Sequence, residues 1–348
     1  MPFANLFANV AAKLFGASPA GTGEVEPELV QMTVEAVVDA VDPRLRVVSG
    51  YQARIAPGVA RTITHLRALA KDMPEPIVLS RGAWGTDPLL NALFATADDV
   101  PAVLGRSDEL RSFFDAAANA AATEAYALLG MLKAERNVLA PAIVDGVLRQ
   151  DVAQTTVSFA QHRLIAPAAD FIACRREVGA RTFRRMAALA LERITALGER
   201  ATELEQRKAV LGAKLRMLNL KRNGIEEAAG GAGDVAGEIA ALEKELKATV
   251  DDYVEAKASL ATLTTRLEHI NAIFNAPADY VNLKRIGLRI NKMGFKVAAD
   301  SSEPATDLTL SELSVGAGLT ATIAFVRCQR AELPRKETLS ARAARAVL

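Results

Sequence analysis

The sequence predicts an α+β protein, mainly helical, with a long antiparallel coiled-coil hairpin inserted between the strands of a small antiparallel β-sheet. Three observations predict this. Two heptad-patterned runs flank a glycine-rich stretch, β-branched and alternating segments lie on either side of them, and the N-terminal third carries helical periodicity. The expected division is an amphipathic helix over residues 1–16, a linker over 17–23 and a helical domain over 24–140. The sheet is expected to draw on 141–175 and 276–331, with the hairpin over 176–275 and a basic tail over 332–348.

The hairpin follows from spacing. Phe183, Ala187, Ala190, Ile194, Leu197, Ala201, Leu204, Lys208, Leu211, Leu215 and Leu218 recur at alternating intervals of four and three. Ile239, Leu242, Leu246, Thr249, Tyr253, Ala256, Leu260, Leu263, Leu267, Ile270 and Phe274 repeat the pattern. A 3.5-residue apolar period held this long specifies a coiled-coil seam. The glycines at 224, 230, 231 and 233 stop the first helix, and Asp234 is suited to cap the second. Folding at that tip sets Leu204 opposite Tyr253, Leu197 opposite Leu260 and Lys208 opposite Thr249. Residues 181–222 carry seven more basic than acidic side chains, and residues 234–274 four more acidic than basic, so the arms attract.

In the N-terminal third, Leu29, Met32, Val34, Val37, Val38 and Val41 mark a helix ended by Asp42-Pro43. A second helix is expected over 57–72, a short strand or extended chain at 77–79, and a short helix capped by Asp87-Pro88. Ser107 is expected to cap a long helix over 108–138. Past Pro141 the texture changes. Asp145-Gly146 is a hairpin signal, and residues 154–165 alternate as a strand. Residues 283–297, 307–315 and 319–329 read as a meander that meets this ribbon, because an isolated hairpin is marginal in water.

Composition narrows function. The 348 residues are half hydrophobic, with a net charge of +1, which argues against a global field for nucleic acid or anionic membrane. Two distant cysteines, Cys174 and Cys328, give no disulfide framework and point to the cytoplasm. No apolar run is long enough to span a bilayer, and the N-terminal stretch lacks the basic start of a secretory signal. Phe3, Leu6, Phe7, Val10, Leu14 and Phe15 form one helical stripe, which calls for cover by the protein's own body, a partner or the inner membrane surface.

The chemistry-bearing residues are few. His65, His162 and His269 stand in no metal-ligand spacing, so neither metal nor cofactor is expected. His162 with Cys174 and Asp170 supplies the residue types of a nucleophile, base and orienter, without a surrounding signature. Trp84 lies in a loop that either binds a small ligand or anchors to the core. Arg181, Arg184 and Arg185 are the phosphate-binding candidates.

The preferred reading is a non-catalytic cytoplasmic scaffold or adaptor that makes protein contacts through its hairpin, with the membrane and a homo-oligomer as further partners. The alternative is an enzyme or ligand-binding protein with a pocket near His162 and the Trp84 loop. Nucleic-acid binding along the basic arm comes last.

Overall fold

A computed structural model describes residues 25–144, 147–222, 235–291, 293–298, 301, 303–316, 318 and 320–335. The amphipathic segment, the linker, the glycine-rich tip and most of the basic tail lie outside the described residues. The helices are α1 (Pro27–Val41), α2 (Tyr51–Lys71), α3 (Pro88–Leu93), α4 (Asp99–Arg106), α5 (Asp108–Asp115), α6 (Phe171–Arg222), α7 (Val235–Ala258), α8 (Leu263–Asn275) and α9 (Pro277–Tyr280). The strands are β1 (Ile77–Leu79), β2 (Glu124–Val144), β3 (Val147–Ala168), β4 (Val281–Ile290), β5 (Thr306–Val315) and β6 (Thr320–Gln329). The protein is α+β and mainly helical. In sequence order the two long helical arms stand between β3 and β4.

Two compact units result. One comprises residues up to Leu29, 62–183 and the chain from Pro277 onward; the other comprises 30–61 and 184–276.

The first unit is built on a six-stranded sheet with the order β3-β2-β6-β5-β4, and β1 pairs in parallel with the far end of β6. The meander therefore meets the ribbon through β6, which pairs with β2 from Glu124 to Met131. Beyond Met131, β2 pairs only with β3, and the ladder continues to Val144 opposite Val147, as a two-residue turn requires. The outer strands are tied as well. Lys296 N–H donates to Thr155 O at 2.8 Å and Val157 N–H to Gly294 O at 2.9 Å, so the segment after β4 covers an edge of β3. Asn291 Oδ1 accepts from Met293 N and Phe295 N to make that turn, with Gly294 at a positive φ of 79°.

The period of two sorts the strand residues onto two faces. Ala125, Ala127, Leu129, Met131, Leu308, Leu310, Val326 and Cys328 share one buried core with Leu90, Phe94 and Leu104 of the α3–α4 region and Phe114 of α5. Leu128, Ile323 and Phe325 face the other way, against Cys174, Phe171 and Val178 of α6. His65 Nε2 donates to Val281 O at 2.7 Å, which pins α2 to β4.

Residues 124–138 correct the expectation. The helix expected over 108–138 ends at Asp115, and a strand begins at Glu124. Its first half is a central strand covered on both faces, so it reads as a continuous apolar run without alternation. Alanine-rich sequence of that kind carries no local mark separating strand from helix.

In the second unit, α6 from Arg184 onward packs against α7. Leu204, Leu211, Ile239 and Thr249 are buried in the seam. Arg207 Nη2 meets Glu245 Oε1 at 2.7 Å across it. Lys208 Nζ lies 4.3 Å over the Tyr253 ring, a cation–π contact across the seam. Thr249 satisfies its hydroxyl on Glu245 O at 2.9 Å. The second arm is also broken, where the heptads read as continuous. Ser259 Oγ bonds to Ala256 O, Thr262 and Thr265 form a capping box, and His269 Nε2 donates to Ser259 O at 3.1 Å. These local bonds end α7 and start α8 afresh.

Candidate functional site

Arm α6 carries a second apolar face. Val210, Met217 and Leu220 are 54%, 63% and 74% exposed, and Ala213 between them is exposed too. Their spacing of three, four and three is that of the buried seam at Leu204, Lys208, Leu211, Leu215 and Leu218, displaced by two residues. Two residues are about 200° round a helix, so the stripe lies on the side away from α7. It continues for three turns, whereas scattered single apolar residues are ordinary on any surface.

Charge frames this stripe. From Arg207 to Arg222 the chain has no acidic residue. Arg207 is paired with Glu245 across the seam. Lys214, Arg216, Lys221 and Arg222 are exposed and have no acidic partner among the described residues. An apolar stripe rimmed by unneutralised cations suits an amphipathic helix with acidic flanks, which buries the stripe and pairs the rim. Reading the chain for its strongest heptad missed this face. The signal that marks it is a weaker second period in the same helix.

A recess of about 380 Å³ lies in the first unit, and its walls include Arg106, Asp108, Glu109, His162 and Arg163. Two β-bulges in β3 shape it. Register slips by one residue between the pairs Gly130–Arg163 and Leu132–Ala160, and again between Tyr126–Ala168 and Leu128–Ile165. The inserted residues bring Gln161 and Ala166 to φ of 56° and 57°, uncommon for residues with a Cβ. The first bulge aims the His162 ring at Phe94, stacked at 4.5 Å and 19°. Its Nε2 lies 2.8 Å from Leu93 O and, facing a carbonyl, must donate. Burial holds the imidazole below its ordinary pKa, against the opposing pull of Leu93 O and the Asp99 carboxylate, so His162 is neutral at pH 7. At the second bulge Ala166 N–H donates to Glu109 Oε2 at 3.0 Å. Although burial opposes it, hydrogen bonding from Arg181 and from that N–H holds Glu109 below the usual carboxylate range.

The Trp84 loop does reach this neighbourhood, but not the recess. Trp84 Nε1 donates to Phe94 O at 2.9 Å, one carbonyl beyond the acceptor of His162. The two rings thus satisfy the C-terminal end of α3, and the loop is anchored to the core.

The structure does not assemble the His162–Cys174–Asp170 set. Cys174 is fully buried on the opposite face of the sheet, beside Leu128 and Phe325. Asp170 Oδ1 accepts from Ala173 N at 2.7 Å and so caps the start of α6. Burial pushes the Cys174 and Cys328 thiols up to about 12, which leaves only about one in ten thousand ionised at pH 8. A thiol-exchange reagent at pH 8 is therefore expected to label neither cysteine in the folded protein and both in denaturant. Rapid labelling of Cys174 without denaturant would overturn this.

The phosphate candidates are committed elsewhere. Arg181 forms ion pairs with Glu109 and Glu177 at 2.9 Å, Arg185 is paired with Glu192, and Arg184 is half-buried. Among the described residues no cluster of His, Cys, Asp or Glu could hold a metal ion, and no helix is long and apolar enough to cross a membrane. The apolar residues at 3, 6, 7, 10, 14 and 15 lie outside the described chain. No protein family, curated protein or solved structure matches this sequence.

Proposed function

We propose that this protein is a non-catalytic cytoplasmic scaffold whose helical hairpin holds a partner through the outer face of α6. The observation that carries the reading is the exposed stripe Val210, Ala213, Met217 and Leu220 within a run free of acidic residues. Burying three such side chains gains about 1.5–3 kcal/mol each, enough to hold a helix once the costs of association are met. The two buried, un-ionised cysteines accord with a reducing compartment.

The test is affinity capture with the full chain against two variants, Met217→Glu with Leu220→Glu, and Lys214→Glu with Arg216→Glu. One or more partners should fall at least tenfold with both variants, while the thermal midpoint stays within about 2 °C because the changed positions are exposed. A partner set indifferent to both variants sinks the proposal.

A second reading rests on the recess under His162, whose size suits a small polar ligand. Arg106 and Arg163 would receive an anionic group on such a ligand.

A further inference from the structure

A second hollow lies on the sheet face that carries Cys174. It has a volume of about 60 Å³ and is bounded by Leu69 and Met73 from the end of α2, Val178 from the start of α6, and Leu313, Ile323 and Phe325 from the strands. Among the described residues Arg175 is the one charged group in its wall; its guanidinium bonds to Ala70 O and lies 5.4 Å over the Phe171 ring. The rest of its described wall is apolar apart from Thr182, which spends its hydroxyl proton on Val178 O at 2.9 Å, so an apolar group suits it. Met73, Leu69 and Leu313 remain partly exposed at its mouth. A hollow of this size accommodates one large apolar side chain and stays dry if empty.

We infer that the N-terminal segment of this same chain, residues 3–15, covers this hollow and inserts a phenylalanine into it. Three facts select that occupant. Phe3, Leu6, Phe7, Val10, Leu14 and Phe15 form an apolar stripe whose only side-chain charge nearby is Lys13. The segment is tethered beside the hollow, because Glu26 Oε2 lies 3.3 Å from Arg67 Nη2, and Arg67 is on the same turns of α2 as Leu66, Leu69 and Ala70. The intervening chain is Gly- and Ser-containing and long enough: the eleven steps from Phe15 to Glu26 reach up to about 36 Å. A short flexible tether holds its end at an effective concentration in the ~mM range, so even a weak apolar contact stays formed. The basic outer stripe of α6 lacks this fit, because the segment has no acidic residue to meet it. The inference stands apart from the scaffold reading, which uses a different surface.

Engineered cysteines in the full chain test it, since both native thiols are buried. Phe7→Cys with Met73→Cys should form an intramolecular disulfide at least tenfold faster than Asn5→Cys with Met73→Cys, whose residue 5 lies on the polar side of the stripe. In the same protein Phe7→Asp should raise the fluorescence of an apolar-surface dye severalfold without unfolding the chain. Equal oxidation rates for the two pairs, with unchanged dye binding, overturn the inference. So does a disulfide that links two chains, which would make the occupant a second copy. Flotation of the unmodified chain with anionic phosphatidylserine vesicles overturns it too, because the segment would then lie on lipid.

Discussion

Phe274→Ala is expected to cost about 3–5 kcal/mol, read as a fall in the urea midpoint followed by helical circular dichroism. Phe274 is fully buried near the end of α8, with Leu267, Ile270 and Ile273 buried on the same helix. The backbone of α2 passes unusually close to it. A Cβ added at Gly58 would lie 3.1 Å from Phe274 Cβ, 3.2 Å from Phe274 C and 3.3 Å from Asn275 N. Two of those neighbours are backbone atoms, so the gap cannot close by a rotamer change and the truncated ring leaves a cavity. The opposite change tests the same contact. Gly58→Leu should destabilise by overpacking, about 1–3 kcal/mol, although glycine inside a helix ordinarily costs stability relative to residues with a side chain. Around this contact, Arg61 Nη1 donates to Asn275 O at 2.9 Å and Arg266 reaches Asp42 at 3.3 Å. These bonds keep the helices from drawing apart. A loss under 1 kcal/mol for Phe274→Ala would show that the helices collapse around the missing ring.

Phe94→Ala is expected to cost a similar amount, about 3–5 kcal/mol, and to change the titration of His162 as well. The ring is buried in the core under the sheet and stacks on the imidazole. Burial is the first cause of the lowered His162 pKa, so removing the ring should let the pKa climb back toward its ordinary value. The sign of the pH effect follows. In the folded protein His162 binds its proton less readily than in the unfolded chain. Its contribution to stability is complete above the unfolded value, about 6.5, and is lost as pH falls through the folded one. Histidine ring resonances followed by NMR from pH 7.5 to 4.5 should show His162 titrating below its ordinary range in the wild type and nearer to it in Phe94→Ala. Phe94→Leu, which fills most of the volume, should lose less stability. An unchanged His162 titration in Phe94→Ala would mean that Leu93 O and the remaining wall, not Phe94, keep the ring neutral.

The hairpin and the C-terminal meander were legible because each carries local signals. Leu204, Leu211 and Ile239 announced the seam at intervals of three and four, and the β-rich runs 306–315 and 320–329 are set apart by glycines between them. The β2–β3 ladder runs to Val144 opposite Val147, on either side of the Asp145-Gly146 signal, which itself lies outside the described residues. Residues 124–138 were not legible, because Ala125, Ala127, Leu129 and Met131 pack on one face while Tyr126 and Leu128 pack on the other. The break at 259–262 escaped for another reason. Serine and threonine side chains there bond to the backbone locally, and a heptad count does not weigh such bonds. Of the candidate site residues, His162 lines the recess whereas Trp84 does not, although both bond to the end of α3. They do so through two successive carbonyls, which no spacing in the sequence records.

By itself, then, the sequence determined the repeating elements, the turn chemistry and the basic character of the first arm. Those depend on neighbours within a few residues. The tertiary structure alone decided that an apolar run becomes a buried central strand, that Cys174 and His162 are parted by a sheet, and which of two apolar faces of α6 is covered. The physical reason is the same in each case. Burial depends on what packs opposite, and α7 supplies a partner for Leu204 and Leu211 while leaving Met217 and Leu220 open to another.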